Sequence, residues 1–243
     1  MMNIQNTVAH QFKLSINHLL AVSLISILSG ASLAHEGEHG PQNHSNAHMK
    51  DANAHMNEAP FEDLAANFDS PDRAIWQKPA DAIAALGDLA GKTVMDIGSG
   101  TGYFSFKLVD AGASVICADV DERFLGFIKE KRDRLGLTDK MELRLVPYDS
   151  ANLSAEEADI VLIVDTYHHI KDRENYFSAV RAGIKPGGKL MVIDFEKREL
   201  PVGPPVSMKL DAETVVNELR AAGFQNIDVN YELLPYQFMI SAS

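Results

Sequence analysis

The stretch from Lys92 to Tyr103, KTVMDIGSGTGY, constrains the fold more than any other. Thr93, Val94, Met95 and Ile97 form a short apolar run with one acid, Asp96, near its end. That is the pattern of a strand buried on both faces of a parallel sheet. Gly98, Gly100 and Gly102 follow at alternate positions, and then an amphipathic run from Tyr103 to Val109 that closes at Gly112. The unit reads strand, glycine turn, helix. Glycine is needed where the backbone takes positive φ or must lie close to a ligand. The spacing departs from the dinucleotide fingerprint G-x-G-x-x-G, and bulky Tyr103 and Phe104 fill the first helical turn. No Lys-Ser or Lys-Thr pair follows, which argues against a P-loop. An acid ahead of the first glycine suits a ligand that carries a cation rather than phosphates.

Further strands follow in order. SVICADV (Ser114 to Val120) ends on Asp119, which lies 23 residues after Asp96. An acid at the tip of a second strand can accept two hydrogen bonds from a ribose diol. Asp121 is placed to cap the next helix. MELRLVPYDS (Met141 to Ser150) is a third strand, with Asp149 just beyond it. ADIVLIVDTYHHI (Ala158 to Ile170) is a fourth, apolar from Ile160 to Val164, with Asp165, Thr166, Tyr167, His168 and His169 at its end. In open parallel sheets ligands sit beyond the C-terminal strand ends, at the switch between the two halves. Asp165, Tyr167 and His168 are therefore the candidate catalytic residues, and His169 is read as packing. A helix over Asp172 to Ile184, a KPGG stop and the strand KLMVIDF (Lys189 to Phe195) come next. Glu196 to Leu210 is a Pro- and Gly-bearing loop of the kind that carries specificity. A helix ending at Gly223 and a terminal hairpin complete the chain.

VMDIGSGTGYFS resembles the first motif of the class I S-adenosylmethionine-dependent methyltransferases of small-molecule type. The later motifs, in the same order, extend that resemblance over about Thr93 to Ala242. It implies a Rossmann-like, doubly wound, seven-stranded and mostly parallel sheet with one antiparallel strand, in a three-layer α/β/α arrangement over residues 92–243. It implies S-adenosyl-L-methionine as cofactor and methyl transfer to a small-molecule acceptor. Asp96 and the turn Gly98, Ser99, Gly100, Gly102 and Tyr103 would serve its methionine part. Asp119 and Val120 would serve the ribose, and Asp149, with Ser150, the adenine, with Asn152 and Leu153 beside it. Asp165 would stand near the transferred methyl group. In this family a helical lead-in commonly covers the ligand, so Arg73, Trp76, Gln77 and Lys78 are candidate lid residues. The alternative is an exported, non-catalytic binding module, for metal or nucleoside, on a methyltransferase scaffold. Intact Asp96, Asp119 and glycines argue against it, and the glycine spacing argues against a dinucleotide oxidoreductase.

The composition of the 243 residues sets outer limits. A formal charge of −12 disfavours a nucleic-acid binder, and 46% hydrophobic residues suffice for a core. Cys117 is the single cysteine, so no internal disulfide can form; it reads as a core residue. Residues 1–34 have the pattern of a signal peptide: Lys13, the apolar run Leu19 to Leu28, then SGASLA with cleavage after Ala34. The expected place is periplasmic, without a stable membrane span after cleavage; an uncleaved leader would instead anchor the chain. Residues 35–60 have no hydrophobic period and hold His35, His39, His44, His48 and His55, possible weak sites for a divalent metal. No metal site is expected in the folded domain. Residues 61–91 are the helical lead-in, with Ser70 and Pro71 starting one helix and Pro79 the next.

Overall fold

The computed structural model describes Asn53, Met56 and residues 58–243. The expected leader and the histidines His35, His39, His44, His48 and His55 lie outside the described residues. Among the described residues no helix is long and apolar enough to cross a membrane.

Among the described residues seven strands form one sheet in the order β3-β2-β1-β4-β5-β7-β6. They are β1 (Thr93–Ile97), β2 (Ser114–Asp119), β3 (Met141–Leu145), β4 (Ala158–Val164), β5 (Ile184–Phe195), β6 (Ile227–Asn230) and β7 (Gln237–Ala242). All neighbouring pairs are parallel except β5 with β7 and β6 with β7, so β7 is the one antiparallel strand. The chain runs outward from β1 to β3, then returns to place β4 beside β1. That return is the switch point, and a cleft opens between the C-terminal ends of β1 and β4.

The central strands are apolar because both faces are covered. Successive side chains alternate across a strand. Met95, Ile97, Val161 and Ile163 pack on one face with Phe177 and Leu219. Val94, Ile160, Leu162 and Val164 pack on the other with Leu108 and Ile128. The helices supplying these partners are α4 (Tyr103–Asp110), α5 (Glu122–Arg134), α6 (Arg173–Gly183) and α7 (Ala212–Ala221). Asp121 caps α5 as expected, its carboxylate accepting from the Arg123 amide at 2.9 Å. Cys117 is fully buried in β2, and burial pushes its thiol up to about 12.

Two local expectations change. KPGG does not precede the fifth strand but lies within it. Ala158 faces Ile184 while Ile160 faces Lys189, so KPGG is the bulge of a 12-residue strand, with Gly187 at φ 79°. The lead-in forms α1 (Phe61–Phe68), α2 (Arg73–Gln77) and α3 (Pro79–Ala84). Pro79 starts α3 as its position implies, but Pro71 stays in a turn ahead of α2. There the Ser70 hydroxyl accepts from the Asp72 amide at 3.3 Å instead of capping a helix.

Candidate active site

The cleft at the switch point is a cavity of about 820 Å3. Its floor is the glycine turn after β1 and the tips of β2 and β4. Its roof comes from α1, α2 and the loop at 202–208. A second hollow, of about 750 Å3, lies at the opposite end of the sheet, against the first residues of β1, β2 and β3. It holds none of the expected site residues.

The glycine turn is built by its sequence. Gly98 and Gly100 have φ of 71° and 52°, the left-handed region. A Cβ on Gly98 would overlap the Thr166 side chain at the end of β4. Asp119 holds the turn in place: Oδ2 accepts from the Gly100 amide at 2.8 Å and Oδ1 from the Asp121 amide at 2.9 Å. Asp96 accepts from the Ser105 hydroxyl at 2.5 Å. Burial raises Asp96 to about 6 and raises Asp119 also, against the amide hydrogen bonds that Asp119 accepts. Two hydroxyls of the turn, Ser99 Oγ and Thr101 Oγ1, are buried on the cavity wall with no hydrogen-bond partner among the described residues. Buried polar atoms are almost always paired, so these two mark where a polar ligand belongs.

Asp165 is the centre of a network. It lies at φ 54°, a strained region for a residue other than glycine. Gln77 Nε2 donates to its Oδ2 at 2.9 Å, Gln237 Nε2 donates to its Oδ1, and Arg73 stands 3.6 Å away. Gln77 Nε2 also reaches Gln237 Oε1 at 3.2 Å, and Arg73 donates to Gln77 Oε1 at 2.7 Å. Gln77 and Gln237 are fully buried. The network ties α2 to the ends of β4 and β7. Burial pushes Asp165 up to about 6, opposed by Arg73. Burial also lowers Arg73, which lies over the Tyr103 ring at 4.3 Å.

A 3-10 turn over Tyr167–His169 follows. Three residues per turn send consecutive side chains about 120° apart. His168 and His169 face the cavity, and Tyr167 faces the core. The His168 ring lies with Nδ1 at 3.0 and 2.9 Å from the two carboxylate oxygens of Asp194, at the end of β5. Both residues are buried. Asp194 also accepts from the amides of His168 at 3.3 Å and Phe195 at 2.8 Å. Burial works against the charged His168 ring, but the Asp194 carboxylate overcomes it and holds the ring above its ordinary value.

Asp96, Gly98, Ser99, Gly100, Tyr103, Asp119, Val120, Asp165 and His168 all line this cavity. Several expectations are corrected. Tyr167 does not line the cavity: it is fully buried, stacks on Phe177 at 4.6 Å and donates its hydroxyl to Glu218 on α7 at 3.0 Å. Gly102 does not face the cavity. Its φ of 76° starts α4, and a Cβ would come within 2.9 Å of Phe106. Asp149 and Ser150 lie beyond the wall, which is made instead by Val146, Pro147 and Tyr148. Ser150 accepts from the Asn152 amide at 3.0 Å, and Leu153 packs toward Gly183, away from the cavity. Of the lid candidates, Arg73 and Trp76 line the cavity, whereas Lys78 turns out to the Leu233 carbonyl at 3.1 Å. His169 lines the cavity rather than packing inward. Asp194 and Gln237 were not expected; their only sequence signal is a polar residue at the end of an apolar strand. Among the described residues no cluster of three or more His, Cys, Asp or Glu side chains could hold a metal.

Residues 95–190 match a family model described as methyltransferase domain. The chain is 26% identical over 173 residues to a ubiquinone/menaquinone biosynthesis C-methyltransferase of Klebsiella pneumoniae, covering 67% of each protein. The fold is shared with a methyltransferase from Aquifex aeolicus, at a TM-score of 0.70 and 24% identity, over 76% of this chain and 98% of that one. It is also shared with Haemonchus contortus phosphoethanolamine N-methyltransferase 2, solved with S-adenosylhomocysteine. There the TM-score is 0.55 and the identity 19%, over 72% of this chain and 46% of that one.

Proposed function

We propose that this chain is a methyltransferase that uses S-adenosylmethionine and methylates a small, mostly apolar acceptor that loses a proton in the reaction. The cavity suits the cofactor. Two orphaned hydroxyls, a glycine-rich turn and two buried acids can meet a ligand with an ammonium, a sulfonium and a ribose. In this reading Asp119 would hold the ribose and Asp96 would face the methionine ammonium. Arg73, paired across the cavity with Asp165, would meet the carboxylate. When bound, S-adenosylmethionine supplies a methyl group already activated by its sulfonium.

The observation that carries the acceptor class is the buried His168–Asp194 pair on the cavity wall. A carboxylate can only accept, so the neutral ring donates from Nδ1 and keeps its lone pair on Nε2. Nε2 takes the acceptor's proton, and Asp194 steadies the charged ring that results. Trp76, Phe195, Pro204, Pro205 and Met208 line the cavity and favour an apolar ring over a charged amine. They also exclude water from the transfer. Relatives named for quinone biosynthesis point to a phenol or hydroquinone. Export through the leader at 1–34 belongs to the same proposal, and N-terminal sequencing of the cellular protein, expected to begin at His35, tests it.

The test is transfer of a tritiated methyl group from S-adenosylmethionine to a naphthohydroquinone, with a primary amine as control. His168→Gln should slow transfer by about 10²- to 10⁴-fold, the usual worth of a general base, while S-adenosylhomocysteine binding stays within about twofold. Label entering only the amine, or an unchanged rate in His168→Gln, would sink the reading.

A further inference from the structure

The tetrad Asn-Ala-His-Met occurs twice, at 46–49 and 53–56, and the proposed reaction does not use it. Asn53 and Met56, from the second copy, line the same cavity as Asp119 and His168. Asn53 engages His169 with both ends of its carboxamide. Nδ2 donates to the main-chain oxygen of His169 at 3.3 Å, and Oδ1 lies 3.1 Å from the ring Nδ1. The main-chain oxygen can only accept, so the amide NH2 must face it. Oδ1 then faces the ring, and because it too can only accept, Nδ1 carries the proton. Neutral His169 is therefore the Nδ1–H tautomer, with its lone pair on Nε2. The His168 ring, 4.3 Å away, reaches the same tautomer through Asp194. On the other side of the cavity, the Met56 oxygen accepts from Arg123 at 3.4 Å, at the start of α5.

We propose that Asn53 is a positioning residue of this site: its two-point clamp sets the tautomer and place of His169, and with Met56 it closes the cavity over the bound nucleoside. The first half stands on the hydrogen bonds alone; the second rests on the cofactor reading. The groups that face the His169 ring agree with it. Burial, with His168 beside it, lowers the ring to about 3, and Asp194 opposes them. A closed site thus holds His169 neutral.

The clamp is tested on the full chain by nitrogen-15 NMR of the imidazoles. His169 should be the Nδ1–H form in the wild type. In Asn53→Ala it should lose that preference. Asn53→Asp can still accept from Nδ1–H but cannot donate to the main chain, and it should keep the tautomer. Closure is tested by the release of S-adenosylhomocysteine, followed through Trp76, which lies 5.5 Å from Phe195 in the cavity wall. Losing two hydrogen bonds should speed release about tenfold in Asn53→Ala. An Nε2–H ring in the wild type, or a ring indifferent to Asn53→Ala, overturns the clamp. An unchanged release rate overturns closure. If the wild type binds no S-adenosylhomocysteine, the cofactor reading falls, and the tautomer still decides the clamp.

Discussion

Replacing Asp194 by Asn changes one atom and reverses the electrostatics of the His168 ring. The carboxylate accepts four contacts: two from the ring, at 2.9 and 3.0 Å, and one each from the amides of His168 and Phe195. The amide of Asn can accept through one oxygen only. In either orientation its NH2 faces a main-chain N–H, of His168 or of Phe195, and it also lies against the ring nitrogen, where it favours the other tautomer. A hydrogen bond to a charged group is worth about 1.5–3 kcal/mol, and an orphaned buried donor costs about 1–3 kcal/mol. We expect a loss of about 3 kcal/mol, which lowers the Tm by roughly 6–12 °C for a domain of this size. The pH dependence is the sharper test. In the wild type His168 is raised by Asp194, so its contribution is full below about 6.5 and fades as pH rises through the folded value. In Asp194→Asn burial acts without that carboxylate, the ring is held low, and stability falls as pH drops below about 6.5. Asp96 titrates in both proteins and largely cancels in the difference, whereas Asp165 loses the upward push of the Asp194 charge in the variant, a change of the same sign. The gap in Tm should therefore widen as pH is lowered from about 8 to about 5. A gap that stays constant over that range would refute the coupling of His168 to Asp194.

Tyr167→Phe should cost about 1 kcal/mol of stability through the lost bond to Glu218. It should leave methyl transfer unchanged; a large fall in rate would return Tyr167 to the site. Gly98→Ala should lower stability by about 3 kcal/mol in urea denaturation, because it strains a residue at φ 71° and overlaps Thr166; a neutral effect would show that the turn is not fixed by Thr166. Asp96 is raised to about 6, so calorimetric affinity for S-adenosylmethionine should weaken as pH falls below that value, by up to about tenfold per unit. Affinity that is flat with pH would remove Asp96 from the ammonium.

The order of the strands, the glycine turn, Asp119 and the cap at Asp121 were legible in the sequence because each depends on local pattern. Apolar runs mark β1, β2 and β4, and a small polar residue marks each end. The network around Asp165 was not legible. Gln77 and Gln237 lie 88 and 72 positions away from it and meet it only once α2 and β7 are in place. Asp194 reaches His168 because β4 and β5 are parallel neighbours, with Val164 beside Ile193. Tyr167 and His169 were exchanged because the turn after β4 is a 3-10 helix. A helix and a 3-10 turn start with the same residues but aim the second and third side chains differently. Val146, Pro147 and Tyr148 line the cavity where Asp149 is expected, one to three residues away along a loop with no periodicity to fix the position.

We propose that the switch-point cavity holds S-adenosylmethionine by way of Asp119. Calorimetric titration of the full chain with S-adenosylmethionine tests it most directly. Asp119→Ala serves as comparison, at a temperature where circular dichroism shows it folded. The wild type should show saturable binding on the order of micromolar, weakened at least about tenfold in Asp119→Ala. Absence of wild-type binding, or equal affinity in the folded variant, would contradict it.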